Sequence, residues 1–181
     1  YTWKEAVTQE EIAPMLKGLM ESDFFPKASN YYGGLAQALF RSGLVVYVQP
    51  NIGDDGVPKE EKLTLDTKVP QGSSADIIVV IVKEGARITL TSTLSGGDDE
   101  SVFARTFIVL TERDAHVRIT QKQSLAKGTT MLIADRGIVA AYSSCTWSEV
   151  FAGEVSMKSE TENVLIGESA RGEIVQGIIA R

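Results

Sequence analysis

Three segments of this chain share a pattern of small turn residues followed by alternating residues, and this repeat limits the possible folds more than any other feature. The segments are Glu84–Leu90, Arg113–Ile119 and Glu168–Ile174, with a weaker copy at Asp135–Val139. Each of the three begins with a charged residue, continues with Gly, Asp or Ser, and then has Ala. An apolar run precedes each copy and another follows it, which predicts strand, tight turn and strand in succession.

The spacing of the copies predicts a regular stack of such units. The third positions are residues 86, 115, 137 and 170, so the copies recur at steps of 29, 22 and 33 residues. We expect a positive φ at Gly85 and Gly137, where a tight bend requires it. β-rich units of this period are typical of a solenoid whose coils bury their apolar faces on each other. An antiparallel sandwich or jelly roll with hairpins at the same turns would give a similar pattern, so periodicity alone leaves both open.

Apolar, β-branched runs favour strands through most of the chain. Ile77–Val82 is continuously apolar, and Val102–Leu110 has the same character. Both are typical of strands that are covered on both faces. Beyond the loop of residues 51–61 no stretch predicts a helix. If the fold is a solenoid, parallel pairing between successive coils should dominate, with a rise of about 4.8 Å per coil.

The start of the chain has helical character. Thr8 and Glu11 have the spacing of a capping box. Pro14 lacks an N–H and suits the first turn of a helix, which we expect to run to about Met20.

A second helix is predicted from Ser29 or Asn30 through Phe40, with Gly43 as its C-terminal cap. We therefore divide the chain into a helical segment at residues 1–43 and one β-rich unit at residues 44–181. The helical segment is expected to cover the end of the first coil, where apolar side chains and strand edges would otherwise meet water.

Composition excludes several classes of partner. The net charge is −6 and the sequence pI is about 4.9, so the chain repels phosphate backbones and anionic lipids. Its longest apolar run, Ile77–Val82, is too short to span a bilayer. A single Cys permits no internal disulfide and fits a reducing compartment. The chain begins with Tyr1 and no secretion signal, and we expect it to be part of a longer protein.

Three stretches resemble the SufB/SufD family of iron–sulfur cluster assembly proteins. They are Leu35–Val48, which resembles that family's helix, Gly and strand; Val79–Leu90, around Glu84-Gly85-Ala86; and Val164–Glu173. They occur in the family's order across residues 30–181. The resemblance implies a right-handed parallel β-helix and a cytoplasmic scaffold that works with the ATPase SufC.

The resemblance supplies no site residues. Family members are longer, and their Cys, Glu and His positions for cluster building, like their ATPase-docking helices, lie in later parts of the fold. We therefore assign no catalytic, cofactor-binding or metal-binding residue here, and expect any iron–sulfur cluster to be handled by the assembled complex. The expected partners are a SufC-type ATPase and either a SufB/SufD-type subunit or a second copy of this chain.

Two single residues could carry chemistry. Cys145 is the only thiol, too few for a cluster, and we expect it to be a small residue in a turn or under a strand. His116 is the only imidazole and shares its strand parity with polar residues, so we place it on an outer face. One imidazole also argues against a metal-binding cupin.

The acidic clusters Asp54–Asp55, Glu60–Glu61 and Asp98–Glu100 are interpreted as solvated loop charge. None of them has the spacing of an EF-hand loop. No trio of Ser, His and an acid is suggested by spacing.

Two other functions remain open. A β-helix or jelly-roll enzyme or binding module for carbohydrate is the first alternative, although only 7% of residues are aromatic and could stack on sugar rings. A structural or adhesive solenoid is the second. We also expect the chain not to be a stable free monomer, because Ile174–Arg181 is predicted to be a strand with an apolar edge.

Overall fold

A computed structural model describes residues 1–22, 25, 40–98 and 100–179 of the chain. Two short helices come first, α1 (Trp3–Ala6) and α2 (Ala13–Glu21), and neither is long and apolar enough to span a membrane. The strands are β1 (Phe40–Val48), β2 (Asn51–Ile52), β3 (Pro58–Val69), β4 (Ser73–Val82), β5 (Arg87–Gly96), β6 (Val102–Thr111), β7 (His116–Leu125), β8 (Thr130–Val139), β9 (Ser144–Ala152), β10 (Ser156–Leu165) and β11 (Arg171–Ile179).

The strands stack as a parallel β-solenoid of about four turns. One sheet has the order β1-β4-β6-β8-β10, and the other has the order β11-β9-β7-β5-β3-β2. Neighbouring described strands are parallel except in the short β2–β3 hairpin. The register is continuous, so that His116 of β7 lies opposite Arg87 of β5 and Ser144 of β9. This pairing confirms the solenoid and excludes the sandwich and the jelly roll, whose strands run antiparallel.

In the four coils from β4–β5 to β10–β11, one corner is a four-residue turn (83–86, 112–115, 140–143 or 167–170) whose third residue has a positive φ. These third residues are Gly85 (73°), Asp114 (56°), Tyr142 (60°) and Ser169 (54°). They recur at steps of 29, 28 and 27 residues. In the first three turns the N–H of this residue donates to a carbonyl in the next coil's turn, at 2.8–3.2 Å. The turns are therefore hydrogen-bonded to each other along one edge of the solenoid.

The prediction of a turn at Asp135–Gly137 is wrong, because these residues lie inside β8. Gly137 serves packing, since a Cβ there would overlap the Asn163 side chain and lie 3.2 Å from Cys145 Sγ. The turn of that coil is residues 140–143. Sequence patterns did not indicate it because Tyr142, a bulky residue, takes the left-handed conformation that small or polar residues take in the other turns.

Inward-facing side chains fill the space between the two sheets. Trp147 is fully buried, and its ring meets Phe107 edge to face with centroids 5.6 Å apart. Its indole N–H donates to Asn163 Oδ1 at 3.0 Å. Aliphatic side chains of both sheets complete this cluster. Removing their apolar surface from water stabilises the fold by roughly 25 cal/mol per Å².

The helices α1 and α2 cover the outer face of the first sheet. Leu16 and Leu19 of α2 are buried in a cluster with outward-facing side chains such as Val79 and Ile108. This cover explains why Ile77–Val82 is apolar at every position, as predicted for a strand buried on both faces. The described helices thus lie on a face of the solenoid, because the outward side chains of β4 and β6 make that face apolar. The sequence had instead predicted that the helical segment covers the end of the first coil.

Two details of the predicted helical segment differ. The capping box joins Thr2 and Glu5, not Thr8 and Glu11: Thr2 Oγ1 accepts from the Glu5 N–H at 3.3 Å, and the Thr2 N–H donates to Glu5 Oε2 at 2.8 Å. The helix α2 has Pro14 in its first turn, close to the predicted position.

The predicted C-terminal cap at Gly43 is wrong. The strand β1 already begins at Phe40, and Gly43 pairs with Ile77 of β4. Parallel pairing with an existing sheet here outweighs the local helical pattern. The rest of that predicted helix, residues 29–39, lies outside the described residues.

Candidate functional site

The single cysteine lies inside the solenoid. Cys145 is in β9 with its thiol turned inward and fully buried, which confirms its predicted place under a strand. Burial raises the pKa of the thiol to about 12, because apolar surroundings disfavour the thiolate. The thiol is therefore protonated at neutral pH and is neither a ligand nor a nucleophile in this state.

His116 lies on the outer face of β7, as predicted, and points away from the interior that holds Cys145. Its Nδ1 is 2.9 Å from Ser144 Oγ, and its Nε2 is 3.5 Å from Asp114 Oδ1. The structure thus brings together a Ser, His and Asp trio that spacing did not indicate. Ser144 comes from the next coil, and only the register of β7 with β9 places it beside His116.

This trio has the residue types of a hydrolytic triad but not its surroundings. The His116 and Asp114 side chains are 37% and 62% exposed. A catalytic triad works in a water-excluded site with donors aimed at the developing oxyanion. The Ser144 N–H already donates to the Ala115 carbonyl at 3.0 Å. We therefore describe the trio as a hydrogen-bonded group on the outer surface of the sheet, beside a cleft that Asp114, His116 and Ser144 line.

Several described members of the acidic clusters accept hydrogen bonds from near neighbours. Asp98 accepts from Ser101 Oγ at 2.6 Å, and Asp55 accepts from a backbone N–H at 3.1 Å. Glu60 and Glu61 lie in β3 and not in the predicted loop, and each accepts a side-chain hydrogen bond there. Within the described ranges, no group of three or more His, Cys, Asp or Glu side chains could hold a metal ion.

Polar side chains that the sequence analysis missed lie between the two sheets. In the second sheet they occupy one inward position on four successive strands, and in the first sheet they lie opposite. The eight are Ser92, Gln121, Glu149 and Gln176 in the second sheet, and Asp76, Arg105, Asp135 and Thr161 in the first. We call them the interior polar lane.

The lane begins with a buried ion pair. The Arg105 side chain is fully buried, with Nη2 2.6 Å from Asp76 Oδ2 and Nε 2.9 Å from Asp76 Oδ1. Its other nitrogen contacts are Ser92 Oγ at 3.0 Å and Thr67 Oγ1 at 2.8 Å. A bidentate pair with these added bonds is well compensated for burial. Its donors are committed to the protein, so we assign the pair a structural role.

Two buried carboxyl groups, Asp135 and Glu149, follow farther along the lane. Gln121 Nε2 donates to Asp135 Oδ2. Glu149 accepts from Thr161 Oγ1 at 2.9 Å and from Gln176 Nε2 at 2.6 Å. Burial raises the pKa of both groups, and for Asp135 the nearby Glu149 charge raises the pKa further, to well above the ordinary aspartate value.

A cleft of about 440 Å³ adjoins this part of the lane and is lined by Asp135, Thr161 and Gln176, among others. These side chains offer oxygen and amide groups to any molecule that enters. The described cleft thus combines one buried carboxyl group with hydrogen-bonding neighbours, and it lies next to no thiol or imidazole.

Residues 65–181 match the model of the SufBD core domain of SUF-system FeS cluster assembly. The chain belongs to the SufBD family. The matched range contains β4 to β11 and therefore the whole interior polar lane. It confirms the resemblance that the sequence motifs indicated.

Curated SufBD relatives cover most of this chain but are much longer. An iron–sulfur cluster assembly SufBD family protein of Staphylococcus saprophyticus is 25% identical over 153 residues, which are 83% of this chain and 32% of that protein. A relative from Staphylococcus epidermidis is 24% identical over 149 residues, 81% of this chain and 31% of its own length. The chain therefore spans about a third of the length of these relatives. No solved structure matches it.

The polar lane of this SufBD core had one usable sequence signal. Gln121 shares strand parity with Val117 and Ile119, and Glu149 shares it with Trp147. A polar residue on the apolar parity of a strand is expected to face the interior. Parity thus indicates which residues are buried, but not which of them meet.

Proposed function

We propose that this chain is a scaffold subunit of SUF iron–sulfur cluster assembly, which works beside a SufC-type ATPase and a SufB/SufD-type partner or a second copy of itself. The observation that carries the proposal is the match of residues 65–181 to the SufBD core domain. The names of the relatives support it. We place the protein in the cytoplasm without nucleic acid or membrane partners, which its single Cys and net charge of −6 favour.

The cluster is the cargo of the complex in this proposal, and not a group held by this chain alone. Cys145 is the only thiol in the sequence, and burial keeps it protonated. His116 is the only imidazole and lies on the opposite face of the second sheet. Because a cluster needs about four thiolates or equivalent ligands, its ligands come from elsewhere in the complex.

The edge strand β11 is open to pairing with a further strand. The side chains of β11 are exposed along the strand, and Ile178 is 72% exposed. An apolar strand edge of this kind favours pairing with a further strand. We therefore propose that a further strand covers this edge, supplied by more coils of the same polypeptide, by a second copy of this chain or by a SufB/SufD-type subunit.

Anaerobic cluster reconstitution tests the function. It is carried out on the chain alone and on the chain copurified with a SufC-type ATPase and a SufB/SufD-type subunit, and absorption is measured after desalting. We expect a retained cluster only in the complex, with Cys145→Ser unchanged in both samples. A stoichiometric cluster on the chain alone that is lost in Cys145→Ser would contradict the cargo assignment. Failure to copurify with either partner would contradict the scaffold role.

A further inference from the structure

One hydrogen-bonded pair in the interior polar lane leaves two oxygen atoms without partners. Gln121 Nε2 donates to Asp135 Oδ2. The remaining oxygens of the pair, Asp135 Oδ1 and Gln121 Oε1, are buried and accept no hydrogen bond from the described residues. Both side chains are at least 98% buried. An amide oxygen and an ionised carboxylate oxygen are both acceptors, so they cannot satisfy each other without a proton between them.

We infer that Asp135 is protonated on Oδ1 in the folded protein and donates to Gln121 Oε1. The two side chains then form a cyclic acid–amide pair, in which Gln121 donates to Oδ2 and Asp135 donates back to Oε1. One proton satisfies both oxygens that otherwise lack a partner. It also removes a negative charge from the interior, where an incompletely bonded carboxylate is costly.

The charged groups around the pair favour this proton. Glu149 of β9 faces Asp135, and its charge raises the pKa of Asp135 in addition to burial. Arg105 of β6 is positive but is bonded to Asp76 of β4. The carboxyl groups of Asp76, Asp135 and Glu149 thus lie near a single guanidinium, that of Arg105. From β10 and β11 the nearest side chains are Thr161 and Gln176, which do not titrate. The adjoining cleft is also lined by Arg136, Glu160 and Glu162, of which Arg136 pairs with Glu162 and Glu160 pairs with Lys158.

The proton belongs on Asp135 and not on Glu149 because the two groups receive different donors. Glu149 accepts from Thr161 Oγ1 and from Gln176 Nε2, one on each oxygen. Burial raises the pKa of Glu149 as well, but these two donors favour its ionised form and offset part of that rise. Asp135 receives one donor, from Gln121, on one oxygen only. The lane therefore pairs a neutral aspartic acid with an ionised glutamate.

The folded chain holds a proton that the unfolded chain releases at neutral pH. An unfolded aspartate has a pKa of about 4, and the folded pKa of Asp135 is well above this. Between the two values the folded state binds more protons, so this group's contribution to stability falls as pH rises. Within that window the unfolding constant attributable to Asp135 rises about tenfold per pH unit.

Asp135→Asn mimics the protonated state permanently. An Asn amide has the shape of the neutral acid, donates to Gln121 Oε1 and accepts from Gln121 Nε2. We expect the variant to match or exceed the stability of the unsubstituted chain at pH 8. We also expect the ratio of the two unfolding constants, unsubstituted over variant, to rise from pH 5 to pH 8 by about tenfold per pH unit until the folded pKa of Asp135 is reached. Denaturant unfolding of the full chain at each pH measures this ratio.

Infrared spectroscopy tests the proton directly. The unsubstituted chain at pH 7 should show the carbonyl stretch of a protonated carboxyl group, and Asp135→Asn should lose it. The matched control Glu149→Gln should keep the band, because burial, the largest cause of the raised pKa of Asp135, remains when the Glu149 charge is removed. If Asp135→Asn does not fold, the presence or absence of the band in the unsubstituted chain and in Glu149→Gln still tests whether Asp135 is protonated. Absence of the band at pH 7 overturns the inference. Asp135 would then be ionised, with water or a bound cation satisfying its Oδ1 atom.

Discussion

The space between the two sheets is filled in different ways in two of the coils. In the coil of β4 and β5, Val80 and Leu90 lie in a layer of aliphatic side chains of similar size. In the coil of β8 and β9, the register places Gly137 and Trp147 at the corresponding positions, and Trp147 is hydrogen-bonded to Asn163. The aliphatic layer spreads its packing over many interchangeable contacts. The packing in the coil of β8 and β9 instead depends on specific contacts between particular side chains. A change in one of these residues leaves its neighbour without a packing or hydrogen-bonding partner.

The largest effect is expected where a charged pair loses one member. Asp76→Ala should destabilise the chain by about 3–5 kcal/mol, because it leaves the Arg105 guanidinium buried without its carboxylate. Denaturant unfolding measures the loss. The double variant Asp76→Leu with Arg105→Met should recover most of it, since both charges are gone. A small loss in Asp76→Ala alone would mean that the ion pair, which joins β4 to β6, is as tolerant of change as the aliphatic layer.

The aliphatic layer around Leu90 should be sensitive to a loss of side-chain volume and much less to which aliphatic side chain is present. Leu90→Ala should cost about 2–5 kcal/mol by creating a cavity in a fully buried position. Leu90→Met, which keeps the volume, should cost less than about 1.5 kcal/mol. Thermal and denaturant unfolding of the two variants test this. Equal losses would show that this layer also depends on shape-specific contacts.

The smallest effect is expected for a methyl group added at Gly137, beside Asn163 and Cys145. Gly137→Ala should cost about 1–3 kcal/mol, because the new Cβ overlaps the Asn163 side chain. In an Asn163→Ala background the same change should cost less, and a double-mutant cycle measures that coupling. Additive losses would show that Gly137 and Asn163 do not constrain each other.

The sequence predicted the features of this fold that arise from local spacing. The turns around Gly85 and Asp114 come from short patterns, and the parallel coils follow from their repetition together with the family resemblance. The turn at Tyr142 was missed because its conformation is imposed by hydrogen bonds to the neighbouring coils and not by a small residue. The sequence did not predict where β1 starts, because that start depends on pairing with β4. Phe40 pairs with Ala75, which is 35 residues away in the sequence.

The interior polar lane was not predictable as a site for the same reason. Asp76 and Arg105 are 29 residues apart, and Gln121 and Asp135 meet from opposite sheets across the interior. Parity indicates that each residue faces inward, but the partner depends on how the coils stack. On the outer face, His116 and Ser144 are another example. They are neighbours because their coils stack, and their spacing in the sequence does not indicate the contact.

The connections at the edge with the left-handed residues differ in how much extra chain they can accept. Residues 83–86, 112–115 and 140–143 are four-residue turns that are hydrogen-bonded in series. The connection from β1 to β3 at the same edge is longer, and its residues 49–57 contain β2. A peptide inserted beside Gly56, whose surroundings are open, would leave the parallel pairing of β1 with β4 and of β3 with β5 intact. One inserted beside Tyr142 would interrupt hydrogen bonds to the coils on both sides. Engineered loops and tags therefore belong in the β2–β3 hairpin of this protein.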